Sequence, residues 1–284
     1  MTAVSYLYSS HSFSMITYPI AKINLGLQVT EKREDGFHNI ETIFYPVPVQ
    51  DALEVVKADT FQIDITGIDL KEDPVNNLVA KAYRLLQADY QLPPVHIHLH
   101  KNIPVGAGLG GGSADASYML LMLNDLFELS LTREQLLAYA LKLGSDCPFF
   151  IDPKPVFATG RGELMEPVEL NLSGYHLVVV KPPVHVSTPE AYRHMCPGKS
   201  RISLKAIVRF PVLKWKGNLQ NQFERYVFEQ HPEVKAIKEK LYKLGAAYAL
   251  MSGSGSAVYG LFHGDRRTIA QYFPEDYRIF SQKL

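Results

Sequence analysis

The early part of the chain carries a strict alternation of apolar and polar residues. In residues 21–29 (AKINLGLQV), every second residue from Ile23 to Val29 is apolar. A period of two places these apolar residues on one face of a β-strand and puts Lys22 and Asn24 together on the other face. Taken alone, Lys22 on such a strand is typical of a solvated lysine at the edge of a sheet.

Strand signals recur along the chain. Runs rich in β-branched and aromatic residues predict further strands at 52–57, 61–66, 95–101 and 176–180. In the third of these runs, His96, His98 and His100 alternate onto one face, as in a metal platform. No matching third-ligand cluster or carboxylate is evident nearby in the sequence, so we expect the solvated face of an antiparallel strand instead.

Helix signals lie between these strands. Asp73 followed by Pro74 suits an N-cap and a first helical residue, which predicts a helix beginning there. A second helix is predicted over 113–129, and a capping-box pattern at Thr132 and Gln135 begins a third, which ends near residue 144. Two more helices are predicted at 221–229 and 233–244.

The composition is that of an ordinary globular protein. The 284 residues include 29 Lys and Arg against 29 Asp and Glu, and 46% are hydrophobic. This balance gives no electrostatic footprint for nucleic acid or an anionic membrane, and no apolar stretch approaches the length that spans a bilayer. Cys147 and Cys196 form no disulfide framework, so a reducing cytoplasm is the expected location.

The length favours two domains. We place the boundary near residue 170, which gives an N-terminal domain of residues 1–170 and a C-terminal domain of residues 171–284. Residues 1–15 contain a Ser- and Tyr-rich stretch without the features of a secretory signal, and we expect them to form a disordered tail.

A glycine-rich loop carries the strongest chemical signal. Residues 104–117 (PVGAGLGGGSADAS) hold five glycines and lead directly into the helix predicted from Ser113. Backbone N–H groups can approach a phosphate closely there, and the positive end of the helix adds attraction. A Rossmann turn belongs after the first strand of its domain, whereas four predicted strands precede this loop, and no Walker A loop is present.

Two other segments are ambiguous when taken alone. Residues 251–256 (MSGSGS) lie between two apolar strands, and a tight hairpin explains them better than a ligand loop does. Asp146 follows the helix that ends near Gly144, where the negative end of the helix dipole makes a carboxylate a better proton acceptor. Most Asp residues at such positions are turn formers.

The order of three segments changes this interpretation. IAKINLGLQV at 20–29, the glycine-rich loop and MSGSGSAVYG at 251–260 together resemble the three motifs of the GHMP kinase superfamily. Local matches add to the likeness: GFHNIET at 36–42, LGSDCPFF at 143–150, GRGE at 160–163 and STP at 187–189. The resemblance runs from about residue 18 to about residue 262, which is nearly the whole chain.

The resemblance implies a fold and a reaction. The fold is α+β, with a ribosomal-protein-S5-like N-terminal domain and a ferredoxin-like C-terminal domain. The reaction is transfer of the γ-phosphoryl group of ATP, with Mg²⁺ bound to the nucleotide, to the 2-hydroxyl of a cytidyl diphosphate sugar alcohol in the non-mevalonate route to isoprenoids. No dedicated metal ligands can be identified in the sequence.

The same resemblance implies roles for particular residues. Asp146 would be the catalytic base and Lys22 would stabilise charge on the transferring group. The ATP-binding residues would be Asn77, Pro104, Val105, Gly106, Ala107, Gly108, Leu109, Gly110, Gly111, Gly112, Ser113 and Ala114, with Gly253 and Gly255 close to the phosphates. The substrate-binding residues would be Asn24, Phe37, His38, Thr188 and Tyr192.

Two departures and several alternatives remain. Phe37 replaces the family's usual tyrosine, and we expect it to sandwich cytosine with Tyr192 because stacking does not need the hydroxyl. Gln222 replaces an acid, so we assign it no role. The alternatives are a homoserine or mevalonate kinase, a diphosphomevalonate decarboxylase, or a non-catalytic binding protein. We expect small-molecule partners and a monomer or weak homodimer.

Overall fold

The computed structural model describes residues 14–71, 73–198 and 202–284. Its strands are β1 (Ser14–Thr17), β2 (Ile20–Lys32), β3 (His38–Gln50), β4 (Ala52–Lys57), β5 (Gln62–Gly67), β6 (Val95–Lys101), β7 (Val156–Thr159), β8 (Leu164–Pro167), β9 (Tyr175–Lys181), β10 (Tyr248–Met251), β11 (Val258–His263) and β12 (Arg278–Lys283). Its α-helices are α1 (Leu78–Tyr90), α2 (Gly111–Leu126), α3 (Arg133–Leu143), α4 (Thr188–Arg193), α5 (Leu204–Ile207), α6 (Phe223–Gln230) and α7 (Pro232–Lys243).

The chain forms two compact units. Among the described residues, unit 1 comprises 14–21, 49–105 and 110–153, and unit 2 comprises 22–48, 106–109 and 154–284. The predicted boundary near residue 170 stays a prediction. The predicted tail falls on residues 1–13, which lie outside the described residues, and on Ser14 and Met15, for which the prediction is wrong. Both belong to β1, where Met15 is buried.

Unit 1 contains a four-stranded sheet in the order β1-β4-β6-β5, with α1, α2 and α3 in the same unit. The β4 and β6 bounds match the predicted strands, since their alternation is clear. The face of β6 with the three histidines is partly solvated, as expected, but β6 pairs antiparallel with β4 on one side and parallel with β5 on the other. That parallel strand also brings a carboxylate close, because Asp64 Oδ2 lies 2.7 Å from His96 Nε2.

The helices of unit 1 begin where side chains cap them. The predicted helix start at Asp73 is wrong for α1, because Asp73 caps only a 3-10 turn at Pro74–Asn76. Asn77 then caps α1, and its side-chain oxygen accepts a hydrogen bond from the Val79 amide at 3.0 Å. The capping box predicted at Thr132 and Gln135 is confirmed at the start of α3.

Unit 2 contains two four-stranded sheets, in the orders β2-β3-β7-β8 and β10-β11-β9-β12. The predicted strand at 176–180 is confirmed as β9, and the predicted helices correspond to α6 and α7. The apolar sides of these helices pack on the second sheet through Val227, Ile237 and Leu241. The mixture of sheets and packed helices confirms the α+β prediction.

Candidate active site

Lys22 is buried in β2 rather than solvated. Its side chain is only 3% exposed, and its ammonium lies 4.8 Å from the centre of the Phe44 ring. Lys22 Nζ donates hydrogen bonds to Asn24 Oδ1 at 2.6 Å and to the Gly108 carbonyl at 3.2 Å. The interpretation of Lys22 as a solvated edge lysine is therefore wrong, whereas the shared direction of Lys22 and Asn24 is confirmed.

Asn24 is fixed by two hydroxyl groups that the sequence analysis missed. Its Nδ2 donates to Thr42 Oγ1 at 2.9 Å, and Thr42 in turn donates to the Gly26 carbonyl at 2.5 Å. Its backbone amide donates to Ser252 Oγ at 3.2 Å. Thr42 lies in the segment GFHNIET and Ser252 in MSGSGS, so both belong to segments that the resemblance singled out.

Two glycine-rich segments of unit 2, residues 106–109 and residues 251–256, contact each other. Ser252 Oγ donates to the Gly108 carbonyl at 2.8 Å, and the Ala257 amide donates to the Ala107 carbonyl at 3.2 Å. The hairpin predicted at 251–256 is confirmed, because β10 and β11 pair antiparallel. The loop of this hairpin also holds residues 106–109 of the glycine-rich loop beside Lys22. The Lys22 amide donates a hydrogen bond to the Leu109 carbonyl at 2.9 Å.

Replacing Gly108 by alanine is expected to destabilise this arrangement strongly. A Cβ at Gly108 would lie 1.9 Å from the Ser252 carbonyl oxygen, and the residue has a positive φ of +75°. The left-handed backbone costs an alanine about 1–2 kcal/mol, and overpacking adds about 1–3 kcal/mol. We expect a clear fall in the thermal midpoint.

Gly174 provides the matched control for Gly108. Its φ is +92°, and a Cβ there would meet nothing within 4 Å. Gly174→Ala therefore reports the backbone strain alone. Equal losses of stability in the two variants would show that the contact between Gly108 and Ser252 does not constrain the loop.

A third segment supports the second glycine-rich loop. Asn221 Nδ2 donates to the carbonyl groups of Met251 at 2.8 Å and Gly253 at 2.7 Å. Asn221 was not predicted as a site residue, although it is adjacent in the sequence to Gln222, which departs from the family's pattern. Gln222 Oε1 accepts a hydrogen bond from the Val29 amide at 2.6 Å, so this glutamine ties the segment to β2.

In unit 1, the glycine-rich sequence becomes the first turn of α2. Gly110 is the N-cap residue in the left-handed region, with φ +74°, and no side chain caps the helix there. The amide groups of a helix's first turn have no partners within the helix, and they carry partial positive charge. Residues 110–114 therefore have the chemistry of a phosphate-binding helix start.

Asp146 lies in unit 1 after α3 and begins a 3-10 turn at Cys147–Ile151. It is half-buried, and its side chain makes no capping hydrogen bond to that turn. The turn is tied to α2, because Ser117 Oγ donates to the Cys147 carbonyl at 2.7 Å. The neighbouring Cys147 thiol is buried, which raises its pKa to about 11 and leaves it protonated.

The aromatic residues predicted to bind the base lie in unit 2. The His38 and Tyr192 rings are stacked, with centroids 5.0 Å apart and planes at 24°. Phe37 is 53% exposed, and the Arg161 guanidinium lies 4.9 Å from its ring centre. The ring stacked on Tyr192 is thus that of His38, and the sandwich of a base by Phe37 and Tyr192 stays a prediction.

The other predicted site residues divide between the units. Thr188 is exposed at the start of α4, and its hydroxyl lies 2.8 Å from that of Ser254. Burial and the charge of Lys32 lower the pKa of His38, which favours the neutral ring.

Asn77 and Asp146 belong to unit 1, while Lys22 belongs to unit 2. Action of Lys22 and Asp146 on one substrate atom stays a prediction.

Comparisons with known proteins agree with the motifs. Residues 77–152 match the model of the GHMP kinases N terminal domain, and residues 204–279 match that of the GHMP kinases C terminal domain. The chain is 53% identical over 257 residues to 4-diphosphocytidyl-2-C-methyl-D-erythritol kinase from Bacteroides fragilis, covering 89% of this chain and 94% of that one. Identity to the protein of the same name from Parabacteroides distasonis is 55% over 248 residues, covering 87% and 92%.

A solved structure is also similar. The crystal structure of a 4-(cytidine 5'-diphospho)-2C-methyl-D-erythritol kinase superimposes with a TM-score of 0.81 at 34% identity, covering 94% of this chain and 98% of that one. A mevalonate kinase from Methanococcus jannaschii reaches a TM-score of 0.71 at 13% identity, which shows likeness of fold alone. Within the described part of the chain, every helix is too short or too polar to span a membrane.

Proposed function

The chain belongs to the GHMP kinase family, and on that premise we propose that it phosphorylates the 2-hydroxyl of 4-diphosphocytidyl-2-C-methyl-D-erythritol with ATP. The observation that carries the proposal is identity above 50% to kinases named for this substrate, over nearly nine tenths of the chain. The reaction belongs to the non-mevalonate route to isoprenoid precursors. It leaves the 2-phosphate and ADP as products.

Asp146 accepts the proton of the attacking hydroxyl in this proposal. A new bond forms between the 2-oxygen and the γ-phosphorus, the bond from that phosphorus to the β,γ-bridging oxygen breaks, and the hydroxyl proton moves to the carboxylate. The place of Asp146 in LGSDCPFF, one of the segments that match the family, supports this role. The contact between Ser117 and Cys147 keeps the turn at a fixed place on α2.

Lys22 stabilises the negative charge that develops on the hydroxyl oxygen and on the transferring phosphoryl group. A positive charge that is held in place before reaction needs no reorganisation during it, and burial strengthens its field. The contacts of Lys22 with Asn24 and Gly108 support this role, because they fix the ammonium beside the glycine-rich loop. Asn24 orients the erythritol portion of the substrate.

The triphosphate binds to the glycine-rich loop and to the first turn of α2. The N–H groups of residues 110–113 and the helix dipole supply much of the attraction. Gly253 and Gly255 lie close to the phosphates in this proposal, and the contact between Ser252 and Gly108 supports their placement. Asn77 caps α1 and lies beside the nucleotide.

The cytidine end binds among the aromatic residues of unit 2. Phe37 and Tyr192 stack on cytosine, while His38 and Thr188 supply polar contacts that select the base. Each base-on-aromatic stack is worth about 1–3 kcal/mol. A neutral His38 ring, favoured by its lowered pKa, can both donate and accept a hydrogen bond.

Magnesium accompanies the nucleotide in this proposal and neutralises charge on the phosphates. Among the residues that the structure describes, no group of three or more His, Cys, Asp or Glu side chains could hold a metal ion. The protein acts in the cytoplasm as a monomer or weak homodimer on small-molecule partners.

A panel of acceptor alcohols tests the proposed function. We expect ATP-dependent phosphorylation of the cytidyl substrate, measured as ADP release and as product by mass spectrometry. Homoserine and mevalonate are the matched alternatives, because kinases named for them share this fold. Turnover of either one, with none of the cytidyl substrate, would reject the proposal. Nucleotide binding without any turnover would identify a non-catalytic binding protein.

A further inference from the structure

A buried cluster of charged residues lies in unit 1 at the two ends of the glycine-rich sequence. One end follows β6 and the other enters α2. Lys101 is the last residue of β6, Asp51 lies between β3 and β4, and Asp115 lies one turn into α2. Their exposed fractions are 2%, 2% and 1%. Lys101 Nζ donates to Asp115 Oδ2 at 2.7 Å and also to Asp51 Oδ2.

The cluster holds both ends of the glycine-rich sequence within unit 1. Asp51 Oδ1 accepts hydrogen bonds from the amides of Asn102 at 2.5 Å and Ile103 at 2.7 Å, directly before the loop. After the loop, the first turn of α2 lies against the same lysine. A Cβ at Gly111 would lie 3.3 Å from Lys101 Nζ.

We propose that Lys101 is a positioning residue for the phosphate-binding loop, which it holds through Asp51 on the strand side and through Asp115 on the helix side. The inference rests on the proposed function, since it concerns ATP binding by the same loop. Stability alone explains the cluster poorly, because buried ion pairs are often replaceable by apolar residues without loss. Backbone amides at a functional loop need a fixed acceptor, and Asp51 provides it.

The two carboxylates share one ammonium unequally. Asp51 accepts three hydrogen bonds, whereas Asp115 Oδ1 has no partner among the described residues. Burial raises the pKa of Asp115 to about 8, with Asp51 adding to the shift and Lys101 opposing it. The raised pKa favours the protonated form of Asp115 near neutral pH.

The place of Asp115 one turn into α2, together with its raised pKa, predicts a pH dependence of ATP binding. The charges that act on Asp115 are those of Lys101 and Asp51. As the pH rises through about 8, Asp115 ionises and adds a negative charge one turn inside the helix that binds the phosphates. The KM for ATP is expected to rise over that range. Asp115→Asn removes the ionisable group and should abolish the alkaline rise.

The experiment compares the KM for ATP with the KM for the cytidyl substrate. Lys101→Met is expected to raise the KM for ATP by about ten- to a hundredfold through misplacement of the loop, while the KM for the cytidyl substrate stays unchanged. Asp64→Asn is the control, because it removes a carboxylate from β5 of the same sheet, next to His96. It should change neither KM.

Three results would overturn the inference. Lys101→Met could change the KM for both substrates equally, or lower only the thermal midpoint, and either result would make the cluster merely structural. An alkaline rise that persists in Asp115→Asn would also exclude it. If Lys101→Met does not fold, the pH profile of Asp115→Asn decides. If wild-type protein does not phosphorylate the cytidyl substrate, the proposed function fails, and calorimetric titration with ATP still tests the loop.

Discussion

Replacing Asp146 by asparagine is expected to lower kcat by about a hundred- to ten-thousandfold, the usual contribution of a general base. The amide keeps the size of the side chain but accepts protons poorly. Because the substitution is nearly isosteric, the fold of unit 1 should be retained. The KM values for ATP and for the cytidyl substrate should change little, since the carboxylate acts mainly on the transferred proton.

Asp152→Asn is the matched control for this experiment. Asp152 ends the same 3-10 turn that Asp146 begins, so the substitution removes the same charge a short distance along the chain. Steady-state kinetics and circular dichroism of both variants separate chemistry from folding. Near-normal kcat in Asp146→Asn, or a loss of substrate affinity in place of kcat, would remove Asp146 from the role of base.

The strands with clear alternation could be predicted from the sequence. Residues 95–101 form β6 with the predicted bounds, because Val95, Ile97 and Leu99 all point into the core of unit 1. The start of α1 could not be predicted from the sequence, because Asp73 and Pro74 suit a 3-10 turn as well as a helix. The deciding residue was Asn77, whose side chain caps the helix itself.

The site motifs could be predicted from the sequence, but the contacts between them could not. Alternation shows that Lys22 and Asn24 share a face, yet it does not show whether that face is covered. Lys22 is buried because the loop at Gly108 packs over it, and the loop is held there by Ser252, far away in the sequence. Asn221 was missed for the same reason, since its partners lie about 30 residues further on.

The buried cluster at Lys101 had no sequence signal at all. Asp115 and Asp51 lie 14 and 50 residues from Lys101 in the sequence, and each one looks like a surface residue in its own segment. Only the folded unit shows that Asp51 and Asp115 meet one ammonium. Charged pairs of this kind depend on topology, whereas caps and strand alternation depend on neighbours in the sequence.

Replacing Lys22 by methionine is expected to lower kcat by about a hundred- to a thousandfold, as the loss of one preorganised electrostatic group does in other enzymes. Methionine fills similar space without the charge. The oxygens of Asn24 and Gly108 each lose a donor, so a stability loss of about 1–3 kcal/mol is also expected. The loss of stability must therefore be separated from the loss of rate.

Lys181→Met is the control that separates the two losses. Lys181 is also a lysine that donates hydrogen bonds within the fold, but it has no role in the proposed site. Its ammonium donates to the carbonyl groups of Pro182 at 2.7 Å and Val184 at 2.8 Å, and burial lowers its pKa. Lys181→Met should lower the thermal midpoint comparably while turnover is kept. A general loss of packing would lower kcat in both variants alike. A fall in kcat that is confined to Lys22→Met therefore assigns the effect to the charge at the reacting group. Equal rates in the two variants would contradict a catalytic role for Lys22.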